Sequence, residues 1–188
     1  MESVYSTVYS AVVIVAALAF VIGLALYIFQ DKLIYQPNPP VLNAPTPDDN
    51  PEPYRNPGDR GISYENISVT TADSVKLHAW FIHSGQSRAP LVVYFQANAG
   101  NMGFRMDLFE RLIKQCRVNI FAVSYRGYGF SEGIPTEKGL MADADATLKY
   151  VFGTNMSVNG VFIMGASLGG AVSIYAAAAH KNLPVCPI

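Results

Sequence analysis

One pentapeptide restricts the fold more than any other stretch of this chain. Gly165-Ala166-Ser167-Leu168-Gly169 fits Gly-x-Ser-x-Gly and stands directly behind the apolar run Val161-Phe162-Ile163-Met164. A serine in that setting sits at the tip of a strand, and small residues on both sides permit the sharp strand-to-helix turn that lifts its hydroxyl clear of the sheet. The helix that follows points partial positive charge at the same spot. A chain of 188 residues meets such a pentapeptide by chance in about 6% of cases, so its setting has to carry the reading. The competing reading is a glycine-rich turn whose serine caps the next helix.

The setting is a regular alternation of strands and helices. Residues 62–70 and 75–83 are β-branched and aromatic, with Thr71-Ala72-Asp73-Ser74 as the turn between them. A short apolar strand over 91–96 is followed by a Gly/Asn loop. A helix over 104–116 then places Met106, Phe109, Leu112 and Ile113 on one face. Strand 118–125, helix 136–152, strand 161–166 and helix 168–180 complete the pattern, with Pro135 and Thr136 opening the second helix and Glu137 in its first turn. This order implies an α/β fold with a mainly parallel sheet covered on both faces.

The remaining hydrophobic excess lies at the N-terminus. The chain is 51% hydrophobic with a net charge of -1, and no charged residue occurs from Ser3 to Gln30. Residues 8–29 as a helix span roughly 33 Å, enough to cross a bilayer core. A cleaved signal peptide competes poorly: there is no basic leading region, the apolar stretch is longer than a typical signal core, and no small-x-small site follows it before Asp31-Lys32. Charge leaves the orientation open, because Lys32 is the only nearby cation and Glu2 alone lies on the other side. The sequons Asn66-Ile67-Ser68 and Asn155-Met156-Ser157 permit a lumenal domain. Eight of the twelve prolines fall between Pro37 and Pro57, which predicts an extended tether that does not pack on the domain.

Several classes are disfavoured. Lys and Arg number 13 against 14 Asp and Glu, without a basic run, so nucleic acid is not an expected partner. Cys116 and Cys186 suggest neither a disulfide framework nor a metal site. The loop Gln96-Ala97-Asn98-Ala99-Gly100-Asn101 lacks the features of a P-loop or a dinucleotide fingerprint. No cofactor or metal is expected. An oxyanion hole in this architecture takes one backbone N–H from the residue after the nucleophile, Leu168, and one from the loop after the third strand, for which Asn98 is the candidate.

These residues resemble the α/β-hydrolases, and within them the single-pass membrane group of α/β-hydrolase domain-containing protein 13 with its plant wavy-growth and fungal relatives. The resemblance is carried by Tyr94 to Asn101, by Ser124-Tyr125-Arg126-Gly127-Tyr128-Gly129-Phe130-Ser131-Glu132-Gly133, and by Gly165 to Gly170. It extends to Leu33-Ile34-Tyr35-Gln36-Pro37 and Leu77-His78-Ala79-Trp80-Phe81-Ile82. Two positions depart from the group: Ala97, where Gly or Glu is usual, and Ala166, where Arg is common. The resemblance implies a membrane anchor over 1–36, a linker over 37–60 and a partial α/β-hydrolase domain over 61–188, with the later strands of the family fold absent. It implies a serine hydrolase acting on an acyl ester or thioester, of a lipid or an acylated protein. Its home would be the endoplasmic reticulum, another endomembrane or the plasma membrane.

The family triad continues with an Asp and a His on later strands, and only 21 residues follow Ser167. His180 would lie roughly 20 Å along its helix from Ser167, too far for a base. His78 and His83 point to opposite faces of one strand. Asp143, Asp145 and Glu137 are read as a solvated helix face. No triad acid or base is therefore assigned. The expectation is a C-terminally truncated hydrolase of low turnover, or an inactive membrane-tethered module that pairs with another chain through the open edge beside strand 161–166.

Overall fold

The computed structural model describes residues 2–154, 156, 159–182 and 185–187; Asn155 and Ser157 of the second sequon lie outside them. The chain divides into two units, Met1–Ile34 and Tyr35–Ile188. The first is a single helix, α1 (Glu2–Ile34). It is long and apolar enough to cross a membrane by length and composition.

The second unit is built on a mixed sheet. Its strands are β1 (Tyr64–Thr70), β2 (Lys76–Ile82), β3 (Leu91–Phe95), β4 (Asn119–Val123), β5 (Val161–Gly165) and β6 (Val185–Pro187), in the order β1-β2-β4-β3-β5-β6. The hairpin β1–β2 and the pair β2–β4 are antiparallel, whereas β3–β4, β3–β5 and β5–β6 are parallel. Every residue of β3 is buried, as its continuous apolar sequence requires of a strand covered on both faces. One face packs against α2 (Met106–Arg111), which runs on as a π-helical turn through Leu112–Cys116. The other packs against α3 (Glu137–Gly153) and α4 (Leu168–Ala179). Thr136 caps α3 by accepting from the Gly139 N–H. Within this unit the expected strands and helices appear within two residues of their predicted ends, whereas α1 extends the expected 8–29 helix at both ends.

Three expectations change. The proline-rich stretch 37–60 is folded onto the domain, with short 3₁₀ turns at Pro47–Asp49 and Pro57–Arg60 and with Ala44, Pro47, Asn50 and Pro57 buried. Its anchor is an amide pair. Asn50 Nδ2 donates to Asn101 Oδ1 at 2.8 Å, and Asn101 Nδ2 lies 2.8 Å from Asn50 Oδ1, 2.9 Å from the Ala44 carbonyl and 3.0 Å from the Thr46 carbonyl. Gly103 lets this segment close in, since a Cβ there would strike the Tyr54 carbonyl and Asn50 Nδ2. Composition predicted solvation because Pro, Asn and Asp usually mean it; here two asparagines supply the bonds that a buried loop needs.

Asp143 is likewise not solvated. It is fully buried and accepts from the Arg126 backbone N–H and from Arg126 Nε, both at 2.8 Å. Arg126 reaches on to Asp73 at 2.7 and 3.0 Å. Burial pushes the Asp143 carboxyl up against the pull of Arg126, while the guanidinium holds the Asp73 carboxyl well below the usual carboxylate range. This ion pair pins the turn after β4 to α3 and joins it to the β1–β2 turn.

The third change concerns the sheet edge. Val185–Pro187 pairs in parallel with Val161, Phe162 and Ile163, so β5 has a neighbour where a bare edge was expected. Proline weighs against a strand in a sequence, but a three-residue strand at an edge tolerates Pro187.

Asn101→Ala removes the acceptor and donor that hold 37–60 and leaves buried partners unpaired. We expect a loss of about 2–3 kcal/mol in urea unfolding, together with faster proteolysis within 37–60. Unchanged proteolysis would contradict the packed position of this segment.

Candidate active site

β3 and β5 lie side by side, yet the chain leaves β3 through α2 toward β4 and leaves β5 through α4 toward β6 on the opposite side. Connections that diverge in this way open a crevice outside the carboxyl ends of two parallel strands. The loop 96–101 and the pentapeptide 165–169 both emerge there.

At the end of β5 the backbone passes through Ser167 at φ 53° and ψ −116°. Such a conformation in a residue with a Cβ stores roughly 1–3 kcal/mol of strain. Ser167 is exposed and makes no capping hydrogen bond to α4, which removes the reading of a capping serine. Two close approaches hold the turn. A Cβ at Gly165 would strike the Gly169 carbonyl and Ser173 Oγ, and one at Gly169 would strike the carbonyls of Phe95 and Gln96. The pentapeptide therefore sits directly against the start of the 96–101 loop, and the Ala166 N–H donates to the Phe95 carbonyl at 3.4 Å. Leu168 N–H begins α4 and has no backbone acceptor among the described residues.

The 96–101 loop is fastened by its carbonyls. Gln96 O accepts from the Tyr125 hydroxyl at 3.0 Å, and Ala99 O accepts from Arg105 Nη2 at 2.6 Å. Asn98 O accepts from the Gln36 N–H at 3.1 Å and from the Tyr128 hydroxyl at 2.9 Å. Burial raises both tyrosine pKa values, so the two hydroxyls stay protonated as donors at neutral pH. Residue reasoning alone had missed Tyr125, Tyr128, Gln36 and Arg105 as loop supports. The signal was present in the turn Ser124 to Gly133, which follows the strand next to β3.

The three histidines are engaged elsewhere. His78 stands on β2, separated from β3 by β4, with its Nε2 2.9 Å from Asn66 Oδ1 on β1. His83 meets Glu65 at 2.9 Å. His180, at the far end of α4, meets Asp145 at 2.8 Å, and the Tyr175 hydroxyl donates to the same carboxylate. Asp145 is thus paired, and Asp143 is committed to Arg126. Among the described residues no group of three His, Cys, Asp or Glu side chains could hold a metal ion. Cys116 is a free, exposed cysteine.

A divergent β3–β5 crevice with a strained serine turn defines the N-terminal part of an α/β-hydrolase fold. The chain is 39% identical over 167 residues to the alpha/beta hydrolase domain-containing protein WAV2 of Arabidopsis thaliana, covering 87% of this chain and 51% of that protein. A membrane protein of Saccharomyces cerevisiae is 38% identical over 128 residues, covering 68% of this chain and 45% of the relative. The Pyrococcus furiosus esterase Pf2001 superposes with a TM-score of 0.60 at 26% identity, over 70% of this chain and 51% of that one. No family model matches the chain. It belongs to the α/β-hydrolase superfamily, and it spans about half the length of the curated relatives it matches.

Two measurements check this geometry. Ser167→Gly relieves the positive φ and should stabilise the chain by about 1 kcal/mol, whereas Gly169→Ala should cost about 3 kcal/mol or more; equal effects would contradict the strained turn. Burial also pushes the His78 ring down to about 4. From pH 6.5 to 4 the unfolded chain then binds a proton that the folded one does not, so stability falls as pH drops through that window. His78→Gln should flatten this part of the pH–stability curve.

Proposed function

We propose that the chain is a membrane-anchored serine hydrolase acting on an acyl ester or thioester, with Ser167 as nucleophile and the backbone N–H groups of Leu168 and Asn98 as oxyanion donors. The observation that carries this reading is the exposed Ser167 held at positive φ against the β3 loop. Its Oγ attacks the acyl carbon and its proton passes to a base. The alcohol or thiol leaves, and water then releases the acid from the acyl-serine. The fastened carbonyls of the 96–101 loop preset the second oxyanion donor. The anchor is α1, and the yeast relative's name, a membrane protein, agrees with it. The endoplasmic reticulum, another endomembrane and the plasma membrane all suit such an anchor.

None of the histidines at 78, 83 and 180 is placed to take the serine proton. Residues 1–188 on their own should therefore turn over slowly, with the oxyanion donors retaining some catalysis over water. The same placement favours a second reading, a membrane-tethered binding module whose serine is idle and which self-associates through the sheet edge at β6.

Imidazole added from solution separates the two. With p-nitrophenyl acetate in detergent, we expect slow hydrolysis by residues 1–188 that imidazole raises about tenfold or more, and that Ser167→Ala reduces to the imidazole background. An imidazole-promoted rate that is the same in Ser167→Ala would sink the hydrolase reading and leave the binding module.

A further inference from the structure

The apolar surface of the domain is unevenly placed. Among its described residues, the large hydrophobic side chains left exposed are Val41, Leu42, Phe130, Ile134 and Ile174. The first four stand at one edge of the sheet. Leu42 covers Gly100, where a Cβ would touch its Cδ1, and Val41 is its neighbour in the turn that follows Gln36. Phe130 and Ile134 belong to the loop between β4 and α3, which leaves the carboxyl end of β4. This is the edge that also carries the 96–101 loop and Ser167. Val41 is 89% exposed and Ile134 78%, which is costly for side chains of this kind facing water.

The domain begins at the same edge. Tyr35 is the first residue of the domain and is buried in its core. Gln36 donates to the Asn98 carbonyl at 3.1 Å and accepts from the Gly100 N–H at 3.0 Å. The second residue of the domain is therefore bonded to the loop that flanks the serine. The start of the domain and the set of exposed apolar side chains lie on one side of the sheet. By contrast, the loop between β2 and β3 at the opposite edge exposes Gly85, Gln86, Ser87 and Arg88.

We propose that the edge of the sheet carrying Ser167 is a bilayer-docking surface, with Val41, Leu42, Phe130 and Ile134 seated in the interfacial layer. The acyl group offered to the serine then comes from a molecule held in the lipid surface, not from free solution. That statement of substrate class rests on the hydrolase reading; the docking surface does not. Apolar side chains on loops gain from burial at the acyl–headgroup boundary, and a membrane tether on the same chain removes most of the cost of bringing them there.

The test uses residues 1–188 reconstituted in phosphatidylcholine vesicles, with single bimane labels at Val41→Cys and Ile134→Cys in a Cys116→Ser, Cys186→Ser background. Native Cys116, exposed at the opposite edge, is the reference label in Cys186→Ser. Nitroxide-bearing lipids should quench the labels at 41 and 134 about twofold or more and leave the label at 116 nearly unquenched, as expected of interfacial seating. Weak quenching at 41 and 134, equal to that at 116, would overturn the proposal. Quenching at 41 and 134 without Ser167-dependent hydrolysis would leave the docking surface standing and overturn the hydrolase reading. Ser167-dependent hydrolysis without quenching would do the reverse.

Discussion

The close approach of Gly169 to the carbonyls of Phe95 and Gln96 is the contact on which the candidate site depends. It requires β3 and β5 to be parallel neighbours in a fixed register, with Phe95 opposite Gly165. It requires glycine, because any Cβ would push α4 off the end of β3. With α4 seated there, the backbone turns through a positive φ at residue 167. The exposed serine is a consequence of helix–strand packing, and its strain is borne by a buried parallel sheet.

The neighbouring loop is organised by a different means. Its carbonyls are fastened by two tyrosines, an arginine and the backbone of Gln36. Tyr125 and Tyr128 are fully buried and stand on the turn that Arg126 and Asp143 pin to α3. The ion pair, the turn and the loop are thus linked through hydrogen bonds. Such a set fixes a backbone more firmly than apolar contacts would, because each unmade bond in a buried place is costly. The proline-rich segment closes over the far end of the loop through Asn50 and Asn101.

The sequence made the strands, the helices and the serine turn legible because each is set by local pattern. β3 is a continuous apolar run, α3 has Thr136 as its cap, and the turn needs two glycines around one serine. Non-local polar pairing was not legible. Asp143 looks like any acidic residue on an amphipathic helix until Arg126, 17 positions away, is placed against it. Asn50 and Asn101 read as loop residues, and only their meeting across 51 positions buries the segment between prolines. The short strand Val185–Pro187 was missed because prolines weigh against a strand in any single-sequence reading, whereas an edge position spares the missing N–H. The fastening of Asn98 was hidden for the same reason, since Tyr128 lies 30 residues along the chain.

The packing of α4 on β3 singles out Ser167 from the other serines of the chain. The most direct measurement is site-resolved labelling of residues 1–188 by a fluorophosphonate, read by mass spectrometry of the peptides. Slow labelling concentrated on Ser167 is expected, since the turn exposes the residue and the three histidines are engaged elsewhere, together with loss of that labelling in Gly169→Ala. Label spread evenly over the exposed serines, or retained at Ser167 in Gly169→Ala, would contradict it.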